Sequence, residues 1–554
     1  MNQIDQIIFA FNQYLIQAFN LTTEQLARTT CTLNTDASKQ QFGDLSANAA
    51  MILVKELGQN PRAIAQTIAE QFTHPLVETI TVAGPGFLNI TLKQEAFAAI
   101  LRDVQEHQEA FFMPDEETRA RHKEKTISLE FVSPNPTGPL HIGHGRNAII
   151  GDVLGTILRF LGYTVIKEAY VNDAGKQIAL LGQSLKVRCL QERGIEAQLP
   201  EEGYQGEYLI DVARACITEH GPNVIAEQSD EFFADYAKTT LLEQIKQTLR
   251  DYGVHFDVWF SEKTLHDSGA VAASIETLAE TGYTYESEGA LWFKSTAFGD
   301  DKDRVVRKAN GELTYLAADI AYMLNKIERG ADELLYVLGQ DHHSYVNRLQ
   351  GIRQALGITA PVDVILYQLV QLKAGDDLTR MSKRSGRMIT LQMVIDTVGM
   401  DAARFFYLNR KADAQLELDI ELALKRSNEN PVFYIQYAYV RLNSIVDKAA
   451  AHPELAHISA DDAQHLGAEE RLLIKKLIDL KEILAGIGRH HQTHTLAYYT
   501  HELASLFHQY YNAHRVVDPT QVAMSRARLA LALCVRSTLK TCLELLGLST
   551  PERM

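Results

Sequence analysis

The stretch Ser133-Pro-Asn-Pro-Thr-Gly-Pro-Leu-His-Ile-Gly-His-Gly-Arg-Asn147 joins two segments of different periodicity. Before it, Thr126-Ile-Ser-Leu-Glu-Phe-Val132 reads as a β-strand. After it, Ile149, Ile150, Val153, Leu154, Ile157, Leu158 and Leu161 fall at helical spacing, from roughly Gly145 to Leu161. A strand, a tight Pro/Gly turn and a helix is how an α/β nucleotide site begins. The first helical turn leaves backbone N–H groups unpaired and presents the positive end of the helix dipole, which favours phosphate. His141 and His144 sit in that turn, and Gly143 between them leaves a ligand free to lie against the backbone. Proline and glycine alone signal only a turn, so the reading depends on the rest of the chain.

The surrounding pattern is an alternating one. Thr164-Val-Ile-Lys-Glu-Ala-Tyr-Val171 reads as the next strand, and Asn172-Asp-Ala-Gly175-Lys-Gln177 opens another helix. Strand, helix, strand and helix imply a doubly wound parallel sheet with right-handed crossovers. Residues 190–260 are acidic and helical, include Glu201-Glu-Gly-Tyr-Gln-Gly-Glu-Tyr208, and read as an insertion between two halves of the sheet. The sheet is expected to resume with Ala290-Leu-Trp-Phe-Lys294 and Arg304-Val-Val-Arg307. Gly311-Glu-Leu-Thr-Tyr315-Leu-Ala-Ala-Asp319 then opens a helix to Arg329. Leu334 to Leu338 is a buried strand ending in Gly339-Gln340-Asp341-His342-His343, and Val362 to Tyr367 is another. A loop with Thr379-Arg-Met-Ser-Lys383-Arg384-Ser-Gly386 follows. In an open parallel sheet the ligand lies beyond the carboxyl ends of the strands. Residues 133–144, 339–343 and 379–386 all fall there.

Two further domains flank this one. Residues 1–110 read as a small α+β domain: an amphipathic helix (Ile4, Ile7, Ile8, Phe11, Leu15, Phe19), two more helical runs, and a hairpin from Val77 to Leu92. Residues 111–125 are a charged, solvated linker, 126–398 the catalytic domain, and 399–554 an all-helical domain. Net charge is −16, which excludes a uniformly basic surface but not a local basic face for RNA. Cys31, Cys189, Cys216, Cys534 and Cys542 are scattered without Cys-x-x-Cys spacing. That pattern predicts neither zinc nor disulfides and fits a reducing cytoplasm. No apolar run is long enough to span a membrane, and the start lacks a basic signal-peptide region.

His-Ile-Gly-His followed far downstream by Met-Ser-Lys is the signature pair of class I aminoacyl-tRNA synthetases. Glu130-Phe-Val-Ser-Pro-Asn-Pro-Thr-Gly-Pro-Leu-His-Ile-Gly-His-Gly-Arg146 resembles the arginyl members of that class. Phe42-Gly-Asp44 and Ala83-Gly-Pro-Gly-Phe-Leu-Asn89 resemble the family's N-terminal domain, which grips the tRNA elbow, and residues 399–554 its helical anticodon-binding domain. The resemblance implies arginine activation by ATP and transfer to the 2′-hydroxyl of the terminal adenosine of tRNA-Arg. It assigns His141, His144 and Lys383 to catalysis. Pro136, Thr137, Gly138, Gly143, Gly339, Asp341, Met381 and Ser382 join them in binding ATP, with Mg²⁺ on the phosphates. Glu130, Ser133, Asn135, Tyr315, Asp319 and Gln340 are implied to bind arginine. The plain structural role for Asp319 is a helix N-cap. Arg380 and Arg384 stand where Lys and Ser are common in the wider class, and Arg384 matches a variant among arginyl enzymes. Phe433, Tyr434 and Tyr437 at helical spacing fit a packed core, with Tyr437 the candidate for RNA contact; Tyr439 stands where the family usually has His. The family is expected to be monomeric and to need bound tRNA for activation. The competing readings are another nucleotidyl-transferring ligase of the superfamily and a catalytically inactive RNA-binding relative. The second needs a broken motif, and His141, Gly143, His144 and Lys383 are all present.

Overall fold

The computed structural model describes residues 3–373, 389–456, 458 and 460–554. The chain begins with the helix Gln3–Phe19, which buries Ile4, Ile7, Phe11 and Leu15, the face its spacing predicts. It packs with an antiparallel sheet of β1 (Cys31–Leu33), β2 (Leu45–Ala47), β3 (Val77–Ala83) and β4 (Phe87–Leu92), in the order β1-β2-β4-β3. The segment expected to be a linker contains the helix Glu116–Lys123, capped by Asp115. Most of its side chains face solvent, yet His122 is docked: its Nδ1 lies 2.7 Å from Leu161 O and its ring stacks on Tyr163. It is an ordered strut.

The site-bearing sheet starts with β5 (Thr126–Glu130), β6 (Thr164–Val171) and β7 (Val258–Ser261), and two later strands complete it. Between them β8 (Thr284–Ser287), β9 (Ala290–Phe293) and β10 (Arg304–Arg307) form a separate three-stranded antiparallel sheet. With β11 (Glu333–Gly339) and β12 (Val362–Tyr367), the main sheet runs β12-β11-β5-β6-β7, all parallel. Strand order reverses between β5 and β11, the switch point where ligands bind in such sheets.

Residues 290–294 and 304–307 do not continue the parallel sheet. Glu288 and Gly289, with φ of 52° and 75°, make a two-residue turn that closes β8 onto β9 as a hairpin. Strands joined that tightly pair antiparallel, because a parallel pair needs a crossover of about a dozen residues or more. The end of the 190–260 stretch is not inserted material either, since β7 pairs with β6 in the main sheet. What is inserted is a helical module. The helices Lys176–Glu192, Tyr208–His220 and Asp230–Asp251 share a core of Leu181, Leu185, Leu209, Val212, Phe233 and Leu241.

β14 (Leu416–Asp419), paired parallel with β13 (Val370–Lys373) from before Gly399, interrupts the otherwise helical region expected beyond Gly399. The helices Pro431–Ala450, Ala468–His490, His494–Ala513 and Val522–Leu546 then bundle together. They also hold the amino-terminal part: Lys475 pairs with Asp44 at 3.2 Å, both buried, and Gln94 bonds Ala463 O and Arg471. Arg404, 1% exposed, ties three regions at one point. It donates to Asp152 Oδ2 at 2.7 Å, to Tyr252 O at 2.9 Å and to Leu546 O at 3.1 Å. Among the described residues no helix is long and apolar enough to cross a membrane.

Candidate active site

The helix after the turn runs Ile142–Phe160, three residues earlier than its apolar periodicity begins, so His141 is its N-cap and His144 lies in its first turn. Both imidazoles are locked by backbone. His141 Nδ1 accepts from Gly143 N at 3.0 Å, and His144 Nδ1 accepts from His141 N at 3.1 Å. An accepting Nδ1 on a neutral ring leaves the proton on Nε2. The rings stack with centroids 3.8 Å apart. Burial lowers the pKa of His141, and burial with the neighbouring His141 lowers that of His144 to about 3. Both are therefore neutral Nε2–H donors at physiological pH. A Cβ at Gly143 would lie 2.9 Å from the His141 ring, so the absent side chain also gives that imidazole its seat.

The strand end feeding this turn is strained. Val132 and Ser133 have φ of 68° and 37°, a region a β-branched residue rarely enters. Asn147, buried in the helix, holds the distortion: its Oδ1 accepts from Val132 N at 2.7 Å and its Nδ2 donates to Val337 O at 2.9 Å. It thereby staples β5 to β11 at the switch point. Asn147→Leu leaves a buried N–H and C=O without partners. The expected loss is about 1–3 kcal/mol, read as a lower urea midpoint with unchanged slope. An unchanged midpoint would mean the clamp is idle.

Beyond β5 and β6 lies an acidic pocket. Asp319 is inside the helix Tyr315–Glu328, whose cap is Thr314, so the N-cap role for Asp319 is excluded. Burial, with Glu130 and Glu262 nearby, pushes its carboxyl up to about 7, against a hydrogen bond from Tyr345 and the charge of Arg348. Glu262 follows β7 directly and bonds Tyr170. Glu130 is already engaged: Oε2 meets Lys326 Nζ at 2.6 Å and Oε1 accepts from Ser133 Oγ at 3.0 Å. Ser133 Oγ in turn accepts from Tyr170 N at 3.1 Å. Lys326 is fully buried over the rings of Tyr322 and Tyr336, with Glu168 and Arg329 completing the network. Glu262, Tyr345 and Asn147 were not singled out in the sequence. Glu262 stands at a strand end like the residues named from the sequence, but by sequence alone β7 reads as part of the 190–260 insertion.

The other residues divide. Pro136 is buried in the turn, while Asn135 is exposed and donates to Gln177 Oε1 at 3.2 Å. Gly339, Gln340 and Asp341 end β11, and Asp341 is exposed, its Oδ1 folded back over Gly339. Tyr315 is 70% exposed, one turn from Asp319. Arg380, Met381, Ser382, Lys383 and Arg384 lie outside the described residues. The chain returns from that loop beside the histidines: Thr390 bridges His141, and Leu391 N donates to Leu140 O at 2.8 Å. Tyr437 belongs to the helical bundle, where Arg441 holds it. The Arg441 guanidinium lies 4.5 Å from the Tyr437 ring and 4.8 Å from Tyr511, and bonds the Tyr437 hydroxyl and His508. A cleft of about 390 Å³ lined by Lys448, Tyr511, Asn512 and Arg515 opens beside it.

Three family profiles match successive parts of the chain. They are arginyl tRNA synthetase N terminal domain over 5–92, tRNA synthetases class I (R), catalytic domain over 108–421, and DALR anticodon binding domain over 435–554. An arginine–tRNA ligase of Desulforamulus reducens is 43% identical over 522 residues, covering 92% of each chain. One of Caldanaerobacter subterraneus is 43% identical over 94% of this chain and 93% of its own. The solved arginyl-tRNA synthetase of Thermus thermophilus shares the fold at 22% identity, with a TM-score of 0.73 over 98% of this chain and 99% of that one.

Proposed function

The chain belongs to the arginyl-tRNA synthetase family of class I aminoacyl-tRNA synthetases, and we propose that its strand-end site divides the chemistry between a neutral histidine pair and an acidic pocket. As an arginine–tRNA ligase it activates arginine with ATP and charges tRNA-Arg. The observation that carries the division of labour is the crowding of Asp319, Glu130 and Glu262 in one pocket beside the switch point. Carboxylates that repel one another there become favourable partners for a guanidinium.

In activation the arginine carboxylate attacks the α-phosphorus. A carboxyl O–P bond forms as the bond to pyrophosphate breaks, and negative charge grows on the phosphoryl oxygens. His141 and His144 supply preorganised Nε2–H donors to that charge and transfer no proton. Lys383 acts as a point charge on the pyrophosphate side, with Met381 and Ser382 beside it. Pro136, Thr137, Gly138 and Gly143 shape the nucleotide side, while Gly339 and Asp341 meet the ribose. Asp319 and Glu262 take the guanidinium between Tyr315 and Gln340. Glu130, Ser133 and Asn135 serve the α-amino and carboxylate end, Glu130 keeping Lys326 as a buried counter-ion. Among the described residues no group of three or more His, Cys, Asp or Glu side chains is placed to hold a metal. Mg²⁺ is assigned to the ATP phosphates, as part of the substrate. Transfer follows by attack of the 2′-hydroxyl of the terminal adenosine on the adenylate carbonyl, releasing AMP.

The same reading gives residues 1–110 the tRNA elbow, 126–398 the chemistry and 399–554 the anticodon, in a cytoplasmic monomer. Tyr437, the Arg441 guanidinium and the neighbouring cleft make the bundle's aromatic and basic face for RNA.

Arginine-dependent ATP–pyrophosphate exchange tests the reading, run beside each other amino acid, with and without tRNA-Arg. Exchange with arginine alone is expected, and only when tRNA is present. A pocket built for a guanidinium rejects other side chains by roughly 10⁴. No exchange with any amino acid in folded protein would favour an inactive RNA-binding relative.

A further inference from the structure

The loop 203–208 of the helical module is built against the turn that precedes His141. The Tyr208 hydroxyl donates to Thr137 O at 2.5 Å. Its ring stands so close to Gly138 that a Cβ there would meet the ring and hydroxyl at 3.2 Å. Tyr208 is itself held from behind. Arg188 donates to Gln205 O at 2.7 Å, Tyr204 N donates to Ser184 Oγ at 3.0 Å, and Gly206 leaves the space its ring occupies. On the other flank of the turn, Asn135 reaches Gln177 and accepts Thr137 N at 2.8 Å on its carbonyl. Gln177 and Tyr208 both belong to the module whose core is separate from the core of the sheet. The module therefore grips the turn at two points. Asn135 is exposed, whereas Tyr208 and Thr137 are half-buried, so the Tyr208 bond is the less open to solvent of the two. Burial raises the Tyr208 phenol to about 12, which keeps its proton in place as a donor.

We propose that Tyr208 is a positioning residue for adenylate formation: it sets the Thr137–Gly138 turn against the nucleotide, so that the placement of the helical module reaches the ATP site through one hydrogen bond. Tyr208 touches neither reactant. The proposal rests on the reading that ATP lies along this turn.

Tyr208→Phe in the full chain removes the hydroxyl and keeps the ring. In arginine-dependent exchange with tRNA-Arg present, the KM for ATP is expected to rise about five- to tenfold, the scale of one neutral hydrogen bond. The arginine KM should stay within about twofold, and the urea midpoint should fall only slightly, by no more than the loss of one half-buried hydrogen bond. Amide hydrogen exchange over residues 135–140 should speed up in the free protein, reporting the loosened turn. Tyr236→Phe, whose hydroxyl bonds Glu219 on the outside of the same module, is the matched control and should change nothing. An unchanged ATP KM in folded Tyr208→Phe overturns the proposal, as does an equal rise in both KM values with a midpoint lowered further than this, which would mean packing alone. His144→Ala run in the same assay separates the two levels. If it reduces exchange while Tyr208→Phe is silent, only the positioning role falls. If both are silent, the placement of the nucleotide falls with it.

Discussion

Asp319→Asn raises the KM for arginine by roughly 10²- to 10³-fold and leaves the KM for ATP near its original value. The magnitude is that of leaving one partner of a shielded ion pair unmatched, about 3–4 kcal/mol. The pH dependence makes the test specific. In the free pocket the Asp319 carboxyl sits at about 7, so near pH 7 roughly half of the empty sites hold a proton there. A guanidinium favours the carboxylate, so binding expels that proton. Below pH 7 arginine has to displace it, and kcat/KM for arginine should fall, approaching tenfold per pH unit; above about pH 8 it should be level. Asp319→Asn should erase that limb. Calorimetry in buffers of different ionisation enthalpy should find roughly half a proton released per site at pH 7. A rise in KM below tenfold, or the same limb in the variant, would take Asp319 out of the pocket.

His144→Ala should lower kcat for exchange by about 10²- to 10³-fold with little change in the arginine KM, the usual cost of one preorganised donor to transition-state charge. It should do so without creating or removing a titration near the ordinary histidine range. The His144 pKa is depressed to about 3, so its neutral form persists as pH falls and is lost only near pH 3. The wild-type kcat/KM for ATP should accordingly show no histidine limb between about pH 5 and 8. A limb near pH 6.5 that disappears in His144→Ala would mean the ring moves a proton during the reaction, and the donor assignment would fall.

The strand-turn-helix frame, the strand ends and the histidine pair were legible because each follows from local pattern. Ile127 and Leu129 alternate with polar neighbours, and the apolar spacing of Ile149 to Leu158 is helical. What was not legible depended on distant partners. The helix begins at Ile142 because two imidazoles cap it, which apolar spacing does not encode. The left-handed Val132 contradicts its own β-propensity and exists because Asn147 and β11 overrule it. Residues 258–261 look like the tail of an acidic helical stretch until β6 is there to pair with them, and Glu262 was hidden with them. Residues 290–307 carried strand signals, but the direction of pairing lay in the short Glu288-Gly289 turn. The Met-Ser-Lys reading lies outside the described residues and rests on sequence alone.

Three of the groups that Arg404 binds lie 252, 152 and 142 positions away along the chain. Contacts of such separation form late, because long loops must close before they are rewarded. The final seat of the helix that carries the histidines therefore depends on the residues around Leu546. The Arg404 junction crosses the boundaries of the matched family segments. A fragment cut at 421 would keep the guanidinium and Asp152 but lose the Leu546 carbonyl that completes the junction. Any chimera that exchanges the helical bundle between relatives must carry this junction across intact, or it will unsettle an active site it never touches.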